Sequence, residues 1–210
     1  MLSEFEAVIA GRRSIRRYRA DPVPNDVLEG LIEAACWAPS AHNRQPWRFA
    51  VLGAAARERL ADAMGNKLAA DRAADGDSAE AIAADVSRSR SRITGAPAAI
   101  LASYSLRDMD RYPDARRAAA ERDLALQGTA AALQNLLLAA SARGLGASWM
   151  CAPLFCGEVV RAALALPDDW EPQALITLGW PANNGRPATR EPVATRTLWI
   201  QGDEGRTDDE

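Results

Sequence analysis

The residues able to do chemistry gather first at Gly11-Arg12-Arg13-Ser14-Ile15-Arg16-Arg17, where four guanidinium groups and one hydroxyl share seven positions. Arg12, Arg13, Arg16 and Ser14 are spaced to converge on one anion. Arginine suits that role because its planar fork stays charged and donates two parallel hydrogen bonds to a phosphate. A short run of like charge is equally what a solvated basic surface looks like. This stretch alone leaves both readings open.

A second stretch follows one helix later, Ala38-Pro39-Ser40-Ala41-His42-Asn43-Arg44-Gln45-Pro46-Trp47. The two boxes, in this order, resemble the FMN-dependent nitroreductase family. That family carries an Arg-Arg-Ser-x-Arg box near its start and a Pro-Ser-x-x-Asn-x-Gln-Pro-Trp loop after the next helix. The resemblance implies that Arg12 and Ser14 bind the phosphate and ribityl chain of FMN. It places Arg16 near the pyrimidine edge of the flavin ring and lets Arg13 serve either end. Pro39, Ser40 and Asn43 would reach the ring from a neighbouring subunit, because in this family the flavin lies at a homodimer interface.

Further along, Arg143-Gly144-Leu145-Gly146 is similar to the family's Gly-Leu-Gly loop. Leu145 and Gly146 would then make backbone contacts near the reactive N5. Read without the resemblance, the same glycines serve a helix stop before a strand. Arg190, in Thr189-Arg190-Glu191-Pro192, resembles the late basic residue that closes over the phosphate, and also reads as a surface arginine. No catalytic side chain is expected, since flavin N5 would carry the hydride.

Two other stretches, Tyr112-Pro113-Asp114 with Ala120-Glu121, and Pro167-Asp168-Asp169-Trp170-Glu171-Pro172, are similar to the C-terminal flavin domain of the bifunctional protein of coenzyme F420 biosynthesis. That resemblance runs from about Glu4 to about Ile200 and implies reduction of the enolpyruvyl double bond of dehydro-F420. No ligase domain precedes it in this sequence, so ligation is not implied. Asn43, Gln45 and Trp47 follow the general nitroreductase loop instead, which supports the alternative of an NAD(P)H-dependent nitro or quinone reductase. A third reading is a flavin- or deazaflavin-binding protein without turnover. Tyr112, Arg116 and Arg117 would receive an anionic substrate, or simply form a solvated helix start. The electron donor, NAD(P)H or coenzyme F420, is not named by any GxGxxG fingerprint.

The bulk numbers fit this frame. The chain has 210 residues, 48% apolar and 25% charged, with a net charge of -3. That is enough for one domain, expected over residues 1–201, with an acidic disordered tail at 202–210. The balance of charge speaks against nucleic acid as a partner. No apolar run is long enough to span a bilayer, and Met1–Glu6 lacks a signal core, so a cytoplasmic protein is expected. Cys36, Cys151 and Cys156 suit a reducing compartment and do not space as a zinc site.

Periodicity places the elements. A helix capped by Ser3 runs to Gly11 and delivers the arginine box. A second runs from Asn25 or Asp26 to about Trp37, before the Pro39–Pro46 loop. Strands are expected at Trp47–Leu52, Ala96–Tyr104, Gly146–Met150 and Gln173–Trp180, the last one short. Helices are expected at Ala54–Met64, Ala119–Arg143 and Cys156–Leu166. The Ala119–Arg143 helix, apolar on several sides, is the expected dimer core. Asn66–Arg92 reads as helix broken near Gly76 and Ser78, with a mobile lid in view. Its Arg88, Arg90 and Arg92 read as a solvated face, a substrate-contacting face being the alternative. Trp47 and Trp149 read as core aromatics, His42 as a loop residue, and Cys151 as inert unless its thiol is exposed. The fold class is α+β: a mostly antiparallel central sheet flanked by helices, in an intertwined homodimer.

Overall fold

The computed structural model describes residues 3–200. Its centre is one sheet of four strands: β1 (Trp47–Leu52), β2 (Ala98–Tyr104), β3 (Gly146–Met150) and β4 (Glu171–Gly179). The spatial order is β1-β2-β4-β3 and every neighbouring pair is antiparallel. β2 and β4 are the inner strands, so their sequences read as nearly unbroken apolar runs. Strand alternation divides them between two cores. Ala98, Ile100, Ala102, Ala174, Ile176 and Leu178 face helices α2 (Asn25–Cys36) and α5 (Ala115–Ala142). Ala99, Leu101 and Leu175 face α3 (Ala54–Ala74), Ile93 of α4 (Ala79–Thr94) and Val160 of α6 (Gly157–Leu164). Helices thus cover both sides, as the α+β reading required.

The first helix, α1 (Glu4–Gly11), starts in a capping box: Ser3 Oγ accepts from the Glu6 amide and the Glu6 carboxylate accepts from the Ser3 amide at 2.7 Å. Two of the orphan amides at the helix start are satisfied this way. Its apolar residues Phe5 and Ile9 remain exposed.

Several boundaries differ from the sequence reading; β2, expected from Ala96, opens at Ala98 after Pro97, and the larger differences have physical reasons. α3 does not stop at Met64 but continues through Gly65 to Ala74. Gly65 is buried under α4, where an added Cβ would lie 3.2 Å from Val86 Cγ1. Glycine there is a close-packing point between helices. The break comes at Gly76, with φ +84°, and Ser78 caps α4 by accepting from the Ala81 amide. The expected lid is therefore a helical hairpin. It is clasped by Arg72 to Asp77 and Asp85, and by Arg90 to Glu58 and Asp62.

α5 begins four residues early because Asp114 caps it, accepting from the Arg117 amide at 2.9 Å. β4 is the longest strand, at nine residues. It starts before Pro172, which pairs opposite Ser103 where the ladder is irregular between Ala102 and Ser103. A proline is tolerated at such a bulge because no ladder donor is needed from it. The helix expected over Cys156–Leu166 is the shorter α6, which follows a 3-10 turn at Ala152–Phe155 and is capped at Ala165 with φ +49°. After β4 the chain leaves as an arm to Ile200, regular only at a 3-10 turn over Val193–Thr195. The tail expected at 202–210 lies outside the described residues.

Candidate functional site

The arginine box is held as an extended ribbon along the sheet's β3 edge. Ser14 bridges Ala147 in parallel, and the Ile15 amide donates to the Ala147 carbonyl at 2.9 Å. Ile15 turns inward and is buried. It lies so close to Gly146 that an added Cβ would sit 2.7 Å from Ile15 Cγ2. The ribbon's far end is zipped to the arm: Arg19 donates to the Trp180 carbonyl at 2.8 Å, and Ala182 to the Arg17 carbonyl at 3.0 Å. Tyr18 pins the middle. Its hydroxyl donates to the Ile15 carbonyl at 2.6 Å and accepts from Thr177 Oγ1 at 2.8 Å. Burial pushes that phenol up to about 12.

With Ile15 and Tyr18 anchored inward, the charged side chains face an open cleft of about 1110 Å³. Eight of its thirteen lining residues are arginines and none is acidic. Arg12, Arg13, Arg16 and Arg17 come from the ribbon, Arg88 and Arg92 from α4, and Arg186 and Arg190 from the arm. Ser14, Ser91 and Asn183 add hydrogen-bonding groups. Among the described residues, Arg88 alone of these eight has a carboxylate partner, Asp85. Arg13 is oriented by donating to the Ala10 carbonyl at 2.6 Å and the Arg12 carbonyl at 2.9 Å. So many guanidinium groups without counter-charge repel one another, and a bound anion relieves that. A neighbouring hollow of about 270 Å³ shares Arg12, Arg13 and Asn183 and adds Leu145 and Gly146. The Gly-Leu-Gly loop and the arginine box are therefore adjacent, although far apart in sequence.

Pro39, Ser40 and Asn43 are not brought to this cleft within one chain. Their loop packs on α5, where an added Cβ at Gly128 would meet Ser40 Cβ at 3.2 Å and Pro46 Cγ at 3.5 Å. It is internally braced, with Ser40 Oγ accepting from the Gln45 amide at 3.0 Å. His42, Asn43 and Gln45 all have positive φ, at 49°, 53° and 49°. Asn and His visit that region readily, whereas for Gln45 it stores strain. The Pro46 carbonyl accepts from the Ser105 amide at 2.9 Å, and Arg44 pairs with Asp110 at 2.6 Å.

Those contacts lead to a third hollow, of about 590 Å³, bordered by Tyr112, Arg107, Arg111 and the carboxylates of Asp110, Glu121, Asp169 and Glu171. Arg116 and Arg117, grouped with Tyr112 from sequence, do not line it. Arg117 pairs with Asp114 and stands over the Tyr112 ring at 4.8 Å. Tyr112-Pro113-Asp114 thus leads into α5, with Asp114 as its cap. Asp169 accepts from Ser105 Oγ at 2.6 Å, which holds its carboxyl below the usual carboxylate range. Glu171 accepts from Arg161 at 2.9 Å.

Sequence reasoning missed Arg17, Asn183 and Arg186 as cleft residues, and it gave Arg88 and Arg92 a ligand-contacting face only as the alternative to a solvated one. A signal existed on α4: Arg88 and Arg92 are four apart and share a face, while Arg90 turns the other way to Glu58 and Asp62. Trp47 is buried, Trp149 packs against the core, and His42 is an exposed loop residue. Cys151 is exposed, so burial gives no ground for reading it as inert. Burial does push the Cys156 thiol up, away from reactivity. Among the described residues there is no cluster of three metal-ligating side chains, and no helix is long and apolar enough to cross a membrane.

Comparison with known proteins bears on these features. The nitroreductase family model matches residues 9–180. The chain is 34% identical to an NADH dehydrogenase of Thermus thermophilus, covering 90% of this chain and 92% of that protein. It is similar to the crystal structure of a candidate nitroreductase from Desulfovibrio desulfuricans in complex with FMN, with a TM-score of 0.74 and 29% identity over 96% of this chain and 99% of the other. It also shares the fold of the FMN-dependent nitroreductase NfnB of Mycobacterium smegmatis, solved in complex with NADPH, at a TM-score of 0.72 and 23% identity over 93% and 97% of the two chains. The arginine ribbon, the adjoining glycine loop and these matches together place the chain in the nitroreductase family of FMN-dependent oxidoreductases.

Proposed function

We propose that this protein is a homodimeric FMN enzyme that takes electrons from a nicotinamide donor and reduces small acceptors such as nitroaromatics or quinones. The observation that carries the reading is the acid-free arginine cleft joined to the Leu145–Gly146 hollow. The residues present fit FMN. Arg12, Arg13, Ser14 and Arg190 would hold its phosphate, and Arg16 would lie toward the pyrimidine edge. Leu145 and Gly146 would offer backbone groups beside the ring. When bound, FMN supplies hydride transfer through N5. A guanidinium fixed near the N1–C2=O edge stabilises the negative charge that reduction leaves there and raises the reduction potential. With no carboxylate lining the cleft, nothing local opposes that effect. The proton for the acceptor can come from water.

The homodimer is supported by what one chain leaves incomplete. Pro39, Ser40 and Asn43 do not border their own chain's cleft, so a second copy would have to present them. Apolar side chains also stand uncovered: Phe5 and Ile9 on α1, Leu124 and Leu126 on α5, and Leu198, Trp199 and Ile200 on the arm, the last three 79–89% exposed. Exposed apolar surface of this extent is the mark of an interface.

The second reading, reduction of dehydro-F420, rests on the Tyr112–Asp114 and Pro167–Pro172 stretches. In this fold most of these residues hold the scaffold, although Tyr112, Asp169 and Glu171 also border the third hollow. Asp114 caps α5, Asp169 ties to Ser105, Glu171 pairs with Arg161, and Pro172 sits at the β4 irregularity. That weakens its support. One assay separates the readings. The protein is purified, its FMN spectrum is recorded, and bleaching is followed with NADH, NADPH and reduced F420 in turn. Bleaching by a nicotinamide with turnover of a nitroaromatic or quinone is expected. Turnover of dehydro-F420 alone would favour the second reading, and bound flavin that no donor reduces would favour a non-catalytic binder. Arg12→Ala is expected to weaken FMN binding roughly 10- to 100-fold, the loss of charge-assisted hydrogen bonds to phosphate. Equilibrium dialysis showing unchanged affinity would remove the phosphate role.

A further inference from the structure

The cleft carries the same donor set twice. On the ribbon it is Arg12, Arg13 and Ser14; on α4 it is Arg88, Ser91 and Arg92. Positions 88, 91 and 92 are spaced i, i+3, i+4, so they share one helical face. That face lines the cleft, while Arg90 on the opposite side points away to Glu58 and Asp62 of α3. Arg92 has no carboxylate partner among the described residues, and Arg88 only Asp85, which Arg72 also shares. One phosphate monoester carries about two negative charges at neutral pH. Two or three guanidinium groups suffice to meet it, and the ribbon with Arg190 already provides them. FMN has one phosphate, so it leaves the α4 set unsatisfied.

We infer that Arg88, Ser91 and Arg92 form a second phosphate site, which takes a phosphate monoester carried by the electron donor. The inference rests on reading the ribbon side of the cleft as the flavin phosphate site. Between the two nicotinamide donors, only NADPH carries such a group, on its adenosine ribose. The α4 face therefore makes the protein selective for NADPH over NADH, acting through KM.

The test uses the FMN-loaded protein at fixed ionic strength. For the wild type, kcat/KM for NADPH should exceed that for NADH at least tenfold. In the double variant Arg88→Gln, Arg92→Gln that ratio should fall at least tenfold, with FMN still retained on dialysis. Calorimetric titration with adenosine 2′,5′-bisphosphate gives a readout independent of turnover. The wild type should bind it at least tenfold more tightly than the double variant, while Arg90→Gln, which removes a like charge from the other face, should bind as the wild type does. A wild-type donor ratio near one overturns the inference. So does loss of FMN from the double variant, which would assign these arginines to the flavin itself. If the protein takes up no FMN, the flavin reading falls. Binding of the bisphosphate that depends on Arg88 and Arg92 would then still uphold the α4 site, and its absence would remove that too.

Discussion

Two hollows of the molecule use the same residue types to opposite effect. In the ribbon cleft, eight arginines stand with a single carboxylate partner among the described residues. The Tyr112 hollow instead carries both signs: Arg107 and Arg111 border it with Asp110, Glu121, Asp169 and Glu171, and Arg44 and Arg161 pair with Asp110 and Glu171. Charges of both signs offset one another and leave little net field for a ligand. Unmatched charge costs the folded chain self-repulsion, which only an outside anion removes. The contrast marks the first hollow as the place where a charged ligand belongs and the second as framework around a less charged one.

The sharpest way to break the contrast is Gly146→Ala. The added methyl would meet Ile15 at 2.7–3.1 Å and push the ribbon off β3. Overpacking of this kind costs about 1–3 kcal/mol. The variant should melt lower and lose FMN together. A lower melting temperature with FMN binding intact would show that the ribbon's seat on β3 does not set the cleft.

A smaller effect is expected from Tyr18→Phe, which leaves the fold's shape but unpins the ribbon's middle. The loss should be about 1 kcal/mol, one hydrogen bond's net worth. Its pH dependence is diagnostic. The folded phenol is raised from its ordinary 10.0 to about 12, so the unfolded chain ionises first. Stability from this group is complete below pH 10 and drains as pH climbs toward 12. Chemical denaturation between those limits should show a fall for the wild type that the variant lacks. Identical slopes would dismiss the pin.

Arg90→Ala should do least. Its partners Glu58 and Asp62 are exposed, and such pairs contribute below about 1 kcal/mol. A small drop in melting temperature with unchanged FMN affinity is expected. A large loss of FMN would erase the distinction between the two faces of α4.

Which parts of the site could be read from sequence follows from distance along the chain. Arg12, Arg13, Ser14 and Arg16 are neighbours in a ribbon, so their grouping needs no knowledge of the fold. Arg88, Arg92 and Arg186 reach the same space only through the α3–α4 hairpin and the arm. Alternating Ser and Arg resembles a solvated face until the neighbour of Arg90 is known. The inner strands were visible because β2 is apolar over Ala98–Ala102 and β4 over Ala174–Leu178 except at Thr177. The start of β4 was hidden because Pro172 reads as a stop, and only its partner strand reveals the irregularity that admits it. Gly65 misled in the same way, since a glycine that allows two helices to touch has the local signature of one that ends a helix.

The seat of Ser14 and Ile15 on β3 has one further consequence. β3 is the outermost strand of its side, and a bare strand border offers unpaired amides and carbonyls to any passing chain. Here the segment that would grip the cofactor also blunts that border. A molecule whose ribbon peels away loses its ligand and gains a sticky rim in one event, so clumping of flavin-free material and failure of the grip should rise and fall together.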